Sequence, residues 1–188
     1  SDDTCTSFGG VVGVVKGTAD ALCEVSGLTN SGVTTIGALN KGLKTGYSNS
    51  GGVIGYAIYC NLDDCDNTAT EFKQEDTATI TKLEYKANDH GIYNGGVAGY
   101  CNEMGTIENC DNSAELDLNA PNAIHHRVGG LLGNATATVT KCTNSGKLSL
   151  NSKFYTKRLG VGGIAGGFSG SVSECSNSGN IEYTNNQQ

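Results

Sequence analysis

The sequence predicts an all-β fold, a parallel β-helix (β-solenoid) of about five coils with roughly three short strands in each coil. Three observations support this fold class. A triplet of glycines returns five times, a cysteine returns in step with it, and helical periodicity is nowhere sustained. The 188 residues are predicted to form a single repeat domain, 1–188, with units that start near residues 9, 51, 95, 129 and 162.

The first element of each unit is a short strand that follows a pair of glycines. Two residues separate the second and third glycines, and in every unit both are apolar, which predicts a buried strand. Glycine tolerates a positive φ, so we expect the glycines to turn the coil at its corners. The triplets are Gly9, Gly10 and Gly13; Gly51, Gly52 and Gly55; Gly95, Gly96 and Gly99; Gly129, Gly130 and Gly133; Gly162, Gly163 and Gly166.

The second element of each unit leads to a cysteine, and the third follows it. An apolar residue three positions before most of these cysteines predicts one strand, and alternating apolar residues after the turn predict another. The cysteines are Cys23, Cys65, Cys110, Cys142 and Cys175. The last four units continue as Cys-x-Asn, whereas the first has Val25 in place of asparagine. We expect the repeated asparagines to form a ladder of side-chain amides between stacked coils.

The repeat resembles a known motif in residues 51–56, in residues 95–100 with 106–112, and in residues 162–166 with 171–179. These stretches are similar to the GLUG motif of bacterial surface proteins and of the non-catalytic region of IgA-cleaving peptidases. The resemblance implies a right-handed parallel β-helix, a surface location and an adhesive or spacer role. It provides no catalytic residues. The first two units carry longer insertions, around residues 29–50 and 70–94, where solenoids usually diversify their contacts.

Composition favours a secreted or cell-surface protein without a membrane span. The formal charge is −7 and only 16% of the residues are charged, which argues against nucleic acid as a partner. The longest apolar runs are far too short to cross a bilayer. Eight cysteines fit an oxidising compartment. The first residues have neither a basic nor an apolar stretch, so we interpret the chain as mature or trimmed.

The cysteines are the first candidate site. Equivalent positions in adjacent parallel coils lie about 4.8 Å apart, within the range that a disulfide tolerates. Repeat register suggests four pairs, and the alternative is a buried stack of reduced thiols. A zinc site is not expected, because the chain has no pair of CxxC knuckles. The suggested pairs are Cys5 with Cys23, Cys60 with Cys101, Cys65 with Cys110, and Cys142 with Cys175.

The stretches that precede the glycine pairs are the second candidate site. They concentrate basic and aromatic residues, and stacking would align these along one edge of the solenoid. Such a ridge suits sugars, because aromatic rings pack on pyranose faces and cations attract acidic substituents. The alternative is a set of ordinary solvated loops. The ridge residues predicted to bind the ligand are Tyr85, Tyr93, His125, His126, Arg127, Phe154, Tyr155, Lys157 and Arg158.

Catalysis, metal binding and cofactor binding find little support in the sequence. Asp63, Asp64 and Asp66 form a local cluster without a second carboxylate group in register, and the ordered spacing of a calcium loop is missing. We therefore expect no enzyme activity, although a polysaccharide-active β-helix enzyme stays a remote alternative. Asn134 stands in the sequon Asn-Ala-Thr and is a candidate glycosylation site.

The lack of capping segments at the ends of the repeat indicates which partners to expect. Neither end shows a capping segment, and raw coil edges expose unpaired strand groups. We expect either a segment of a larger surface adhesin or a subunit that stacks head to tail into a fibre. The expected partners are therefore the rest of a surface protein or further copies of this chain, with glycans as a further candidate.

Overall fold

The described part of the molecule is built only of strands and connecting turns. The computed structural model describes residues 4–36, 46–74, 90–120, 125–152 and 158–185. The described strands form five successive coils, and equivalent strands of adjacent coils pair in parallel. The predicted parallel β-helix is confirmed.

Thirteen of the described strands belong to the first three coils. The first coil comprises β1 (Thr4–Gly9), β2 (Val12–Lys16), β3 (Cys23–Asn30) and β4 (Thr34–Ile36). The second comprises β5 (Gly46–Gly51), β6 (Ile54–Ile58), β7 (Cys60–Asn67) and β8 (Glu71–Gln74). The third comprises β9 (His90–Gly95), β10 (Ala98–Asn102), β11 (Thr106–Glu108), β12 (Asp111–Asn112) and β13 (Glu115–Ala120).

The last two coils repeat this order with a longer central strand. The fourth coil comprises β14 (His125–Gly129), β15 (Leu132–Thr140), β16 (Thr143–Asn144) and β17 (Leu148–Ser152). The fifth comprises β18 (Arg158–Gly162), β19 (Ala165–Ser173), β20 (Ser176–Asn177) and β21 (Ile181–Asn185).

Three parallel sheets run along the axis of the solenoid. The entry sheet contains the strands before the glycine pairs, in the order β1, β5, β9, β14 and β18. The exit sheet contains the last strand of each coil, in the order β4, β8, β13, β17 and β21. The strands between them form the central sheet. The repeat register is kept in the entry sheet, because the first glycines of the five units pair with one another.

The core has two parts. One lies inside the central sheet and includes the aliphatic residues after the glycine pairs, such as Val53, Val97 and Leu131, each at most 1% exposed. The other lies between the entry and exit sheets, where Val128 packs with Phe72 and four leucines of the exit sheet. The predicted short buried strand and the predicted alternation after the turn are both confirmed in these coils.

An unbroken ladder of asparagine side chains crosses all five coils. Each Nδ2 donates to the Oδ1 of the next coil, at 3.0, 3.0, 2.8 and 2.7 Å along Asn30, Asn67, Asn112, Asn144 and Asn177. The second glycine of each pair lies against the ladder residue of its own coil. A side chain at Gly96, for example, would overlap Asn112. The two halves of the repeat therefore depend on each other: glycine makes room for the asparagine.

The first coil departs from the predicted register. Cys23 pairs with Cys60 rather than standing in the column of Cys65, and Leu28 occupies that column instead. Asn30, not the position of Val25, completes the ladder. The first coil reaches the ladder by a longer path, so counting residues from the glycine pair placed its cysteine in the wrong column.

The corners of the coil also differ from the expectation that glycine would supply their positive φ. In the last four coils, the residue before the repeated cysteine (Cys65, Cys110, Cys142 or Cys175) has a φ of 52° to 53°. None of these residues is glycine: they are Asp64, Asn109, Lys141 and Glu174. Only the first coil has a glycine there, Gly27 with a φ of 65°. Non-glycine residues pay a steric cost in this left-handed region.

Candidate functional site

Two outward-facing columns of side chains meet at the corner after the glycine pairs. One comes from the entry sheet and the other from the central sheet, and together they line one edge of the solenoid. We call this edge the corner cleft and define it by Tyr47, Tyr56, Tyr93, Tyr100, Arg127 and Asn134.

Strand register explains why these residues converge. Tyr93 and Arg127 are partners in the entry sheet. Tyr100 stands in one column of the central sheet with Tyr56 and Asn134. Because the chain reverses at the glycine pair, each coil brings an outward residue of its entry strand close to one of its central strand.

Four tyrosine rings form a continuous contact chain in the cleft. Tyr47 stacks on Tyr93, with centroids 5.9 Å apart and an interplanar angle of 18°. Tyr93 is 5.1 Å from Tyr100, which is 5.4 Å from Tyr56. Gly91, opposite Tyr47, leaves room for the Tyr47 ring. Burial raises the pKa of both Tyr93 and Tyr100, so these phenols stay neutral at physiological pH.

Arg127 continues the cleft beyond the tyrosines. Its Nη1 donates a hydrogen bond to Oδ1 of Asn134, which lies across the corner in the same coil. The side chain extends over Gly167 of the next coil, where a methyl group would overlap both the guanidinium and Asn134. The cation is therefore held in place by an amide and by the absence of a side chain beneath it.

A pocket of about 300 Å³ opens beside Arg127 at the fifth coil. It is lined by Arg127, Leu159, Gly160, Gly166, Gly167 and Phe168. Three of the six lining residues are glycines. The pocket therefore exists because side chains are missing in the fifth coil, where the two columns of the corner cleft end. Its apolar wall is accessible, since Leu159 is 38% and Phe168 36% exposed.

One sequence motif of a known family lies within this region. Residues 125–149, from β14 to the start of β17, match the sequence model of the GLUG motif. The chain carries a GLUG motif. The matched segment is one of the five units and contains Arg127, Asn134 and the ladder residue Asn144. Searches of curated proteins and of solved structures returned no match.

Within the GLUG unit, the predicted ridge residues differ in burial. Arg127 faces the cleft, and the next residue on either side points inward. His126 is fully buried, with its Nε2 3.5 Å from Nδ2 of Asn94, so its assignment to an exposed ridge is wrong. Burial lowers its pKa to about 4.

The other ridge residues have different outcomes. Tyr93 contributes to the cleft but is only 8% exposed, because Tyr47 and Tyr100 pack against it. His125 and Arg158 are strand partners in the entry sheet. The remaining predicted members lie outside the described residues: Tyr85, Phe154, Tyr155 and Lys157.

Sequence reasoning missed several cleft residues. Tyr56 and Tyr100 each follow the third glycine of their unit, and this repeated Gly-Tyr pair was a signal that would have placed both in one column. Phe168 and Gly167, which line the pocket beside the cleft, had no such signal. Their role appears only when the fifth coil stacks on the GLUG unit.

Seven cysteines whose side chains are described are free thiols, and the predicted disulfides stay predictions. Four of them form a column in successive coils, and their thiols donate to the carbonyl oxygen two residues earlier: Cys65, Cys110, Cys142 and Cys175. Two of the suggested pairs, Cys65 with Cys110 and Cys142 with Cys175, are neighbours in this column.

The other two suggested pairs do not follow the register of the strands. Cys23 pairs with Cys60 in the central sheet, whereas Cys5 lies in the entry sheet opposite Tyr47. Cys101 lies opposite Ala57 rather than Cys60.

The aspartate cluster and the sequon have structural contacts. Asp63 accepts a hydrogen bond from Asn109, and Asp66 accepts one from the backbone N–H of Asp111, so both link adjacent coils. Within the described ranges, no group of three His, Cys, Asp or Glu side chains is arranged to hold a metal ion. The sequon residue Asn134 lies within β15, where a glycan on its amide would occupy the corner cleft. No described helix is long and apolar enough to cross a membrane.

Proposed function

We propose that this chain is a non-catalytic β-solenoid with a structural and adhesive role outside the cell. The unbroken asparagine ladder is the observation that carries the proposal. Its amides, and the aspartates beside it, bond to adjacent coils. Polar side chains that an enzyme would direct into a catalytic cleft here hold the stack together.

The architecture suits a rigid spacer. Five coils with a repeat of about 4.8 Å give a stack about 20 Å long, and parallel strand pairing joins each coil to the next. The low density of charge supports an extracellular setting, as does the GLUG motif, which resembles repeats of surface proteins. Purified protein should release no sugar ends from a polysaccharide panel, and turnover of any member would contradict the proposal.

The two outer coils support stacking between units. The first coil exposes Val14 (55%) and Val33 (57%), and the fifth exposes Val172 (47%) and Tyr183 (46%). Apolar side chains next to unpaired strand edges need a cover, either further coils of a longer protein or a second copy of this chain.

Electron microscopy distinguishes these two forms. A fibre subunit should form filaments, and Val172→Glu should reduce them to single rods because it places a charge in the contact. Thr136→Glu adds the same charge to an exposed position on the side of the rod and should leave filaments intact. Single rods at all concentrations would contradict the fibre form.

Glycan binding is a second candidate function, favoured by the tyrosines of the corner cleft. Their rings form one cluster of contacts across the second and third coils. Aromatic faces with neutral hydroxyl groups are suited to pyranose rings, which are apolar on one face and polar at the edge. Replacement of Tyr100 by Ala should reduce glycan-array signals, and an unchanged pattern would contradict the tyrosine cluster as the binding surface.

A further inference from the structure

Toward the described residues, Arg127 uses only part of its hydrogen-bonding capacity, and its side chain is partly exposed. Its guanidinium carries five N–H donors, and one of them is occupied by Asn134. Among the described residues, no carboxylate forms an ion pair with it. An arginine of this kind matches the geometry of a carboxylate or sulfate, which accept two parallel hydrogen bonds from its fork.

The pocket beside Arg127 provides an apolar surface next to this cation. Leu159 and Phe168 are exposed at its wall, and Gly160 and Gly167 keep it open. A methyl group at Gly160 would meet the carbonyl oxygen of Gly166, and one at Gly167 would displace the guanidinium. A ligand that fits must therefore combine a negative group with a compact, partly apolar body.

We propose that this pocket binds an acidic saccharide, with its carboxylate or sulfate on Arg127 and one ring face against Phe168. The tyrosine cluster favours a saccharide over an acidic peptide, because Tyr93 is the strand partner of Arg127 and Tyr100 that of Asn134, so aromatic rings lie directly beside the cation. The whole chain carries a formal charge of −7, so attraction of an acidic ligand must arise locally at Arg127. This inference rests on the adhesive role proposed above and names its ligand class.

Matched oligosaccharides test the assignment by isothermal titration calorimetry on the full chain. The first probe is a tetramer of galacturonic acid, and its control is the same tetramer with every carboxylate methyl-esterified. The second probe is a sulfated tetrasaccharide, which distinguishes sulfate from carboxylate as the acidic group. A tetraglutamate peptide of the same charge tests for peptide binding.

Variants locate the site. Arg127→Gln should weaken binding of the acidic probe at least tenfold, to the level of the esterified one, because the charge and the fork are both lost. Lys147→Gln removes the same charge from the same coil, where Lys147 pairs with Glu182 at 2.8 Å on the other side, and should bind normally. Gly167→Ala should abolish binding by displacing the guanidinium. Thermal melts show which variants are folded.

Each outcome of these titrations either supports or overturns the inference. Binding of either acidic saccharide that is lost in Arg127→Gln supports it. Equal binding of free acid and ester, or an unchanged affinity in a folded Arg127→Gln, overturns the inference while the proposed glycan-binding role still stands. Tighter binding of the peptide than of both saccharides overturns the assignment to saccharides. Binding of no glycan at all overturns both this inference and the second candidate function, whereas microscopy tests the structural role separately.

Discussion

Loss of one ladder amide in the middle of the stack should destabilise the protein far more than loss of the last one. Asn112 is 1% exposed, accepts from Asn67 at 3.0 Å, and donates to Asn144 at 2.8 Å and to the carbonyl oxygen of Ala114 at 3.0 Å. Asn112→Ala leaves these three partners buried without it. Each unsatisfied group costs about 1–3 kcal/mol, so we expect a loss of about 3–9 kcal/mol for the three partners.

The matched control is Asn177→Ala in the fifth coil. Asn177 is exposed, so water replaces the lost partners, and the expected cost is about 1 kcal/mol. Urea denaturation followed by circular dichroism measures both free energies of unfolding, with an unchanged m-value as the test that the comparison is valid. If the two substitutions differ by less than about 1 kcal/mol, the ladder is not a stabilising element and this reasoning is refuted.

Three further predictions concern pH, backbone strain and thiol chemistry. The buried His126 has a pKa of about 4 against 6.5 unfolded, so the unfolded state takes up a proton first as the pH falls. Stability should therefore decline from pH 6.5 towards pH 4 by up to about 3 kcal/mol, and the decline should be smaller in His126→Leu; equal urea profiles would contradict this. Gly27→Ala should destabilise the protein by about 1 kcal/mol and Glu174→Gly should stabilise it slightly in the same urea assay, because only glycine adopts their left-handed backbone without strain; the opposite signs would contradict the assignment. Burial raises the pKa of the Cys101 thiol to about 12. In native protein, iodoacetamide should therefore alkylate the more accessible Cys175 long before Cys101, as mass spectrometry of timed samples would show. Early modification of Cys101 would contradict the packing.

The stacking of coils could be predicted from the sequence because it repeats. Each Gly-Gly pair and each Cys-x-Asn run has a counterpart one unit later, and equivalent residues of parallel coils must lie side by side. The amide ladder was predictable for the same reason, from Asn67 to Asn177. Spacing alone could not show that Gly96 makes room for Asn112, since the two residues meet only after the coil closes.

Other features required the folded chain. In the first coil a longer path moves Leu28 into the cysteine column, and a count from the glycine pair cannot detect this shift. The whole stretch before each glycine pair was predicted to form one exposed ridge. Strand alternation instead buries His126 and leaves Arg127 partly exposed. The pocket depends on Gly167 and Phe168 of the following coil, which no single unit contains.

The glycan-binding proposal depends most on the claim that Arg127 and the pocket beside it form the binding surface. Nuclear magnetic resonance titration of the full chain with the galacturonic acid tetramer tests it directly. The account predicts saturable shifts of the Arg127 side-chain N–H, the Asn134 amide and the backbone N–H groups of Gly160 and Gly167. Shifts confined to the exit sheet, with these four residues unmoved, would contradict it.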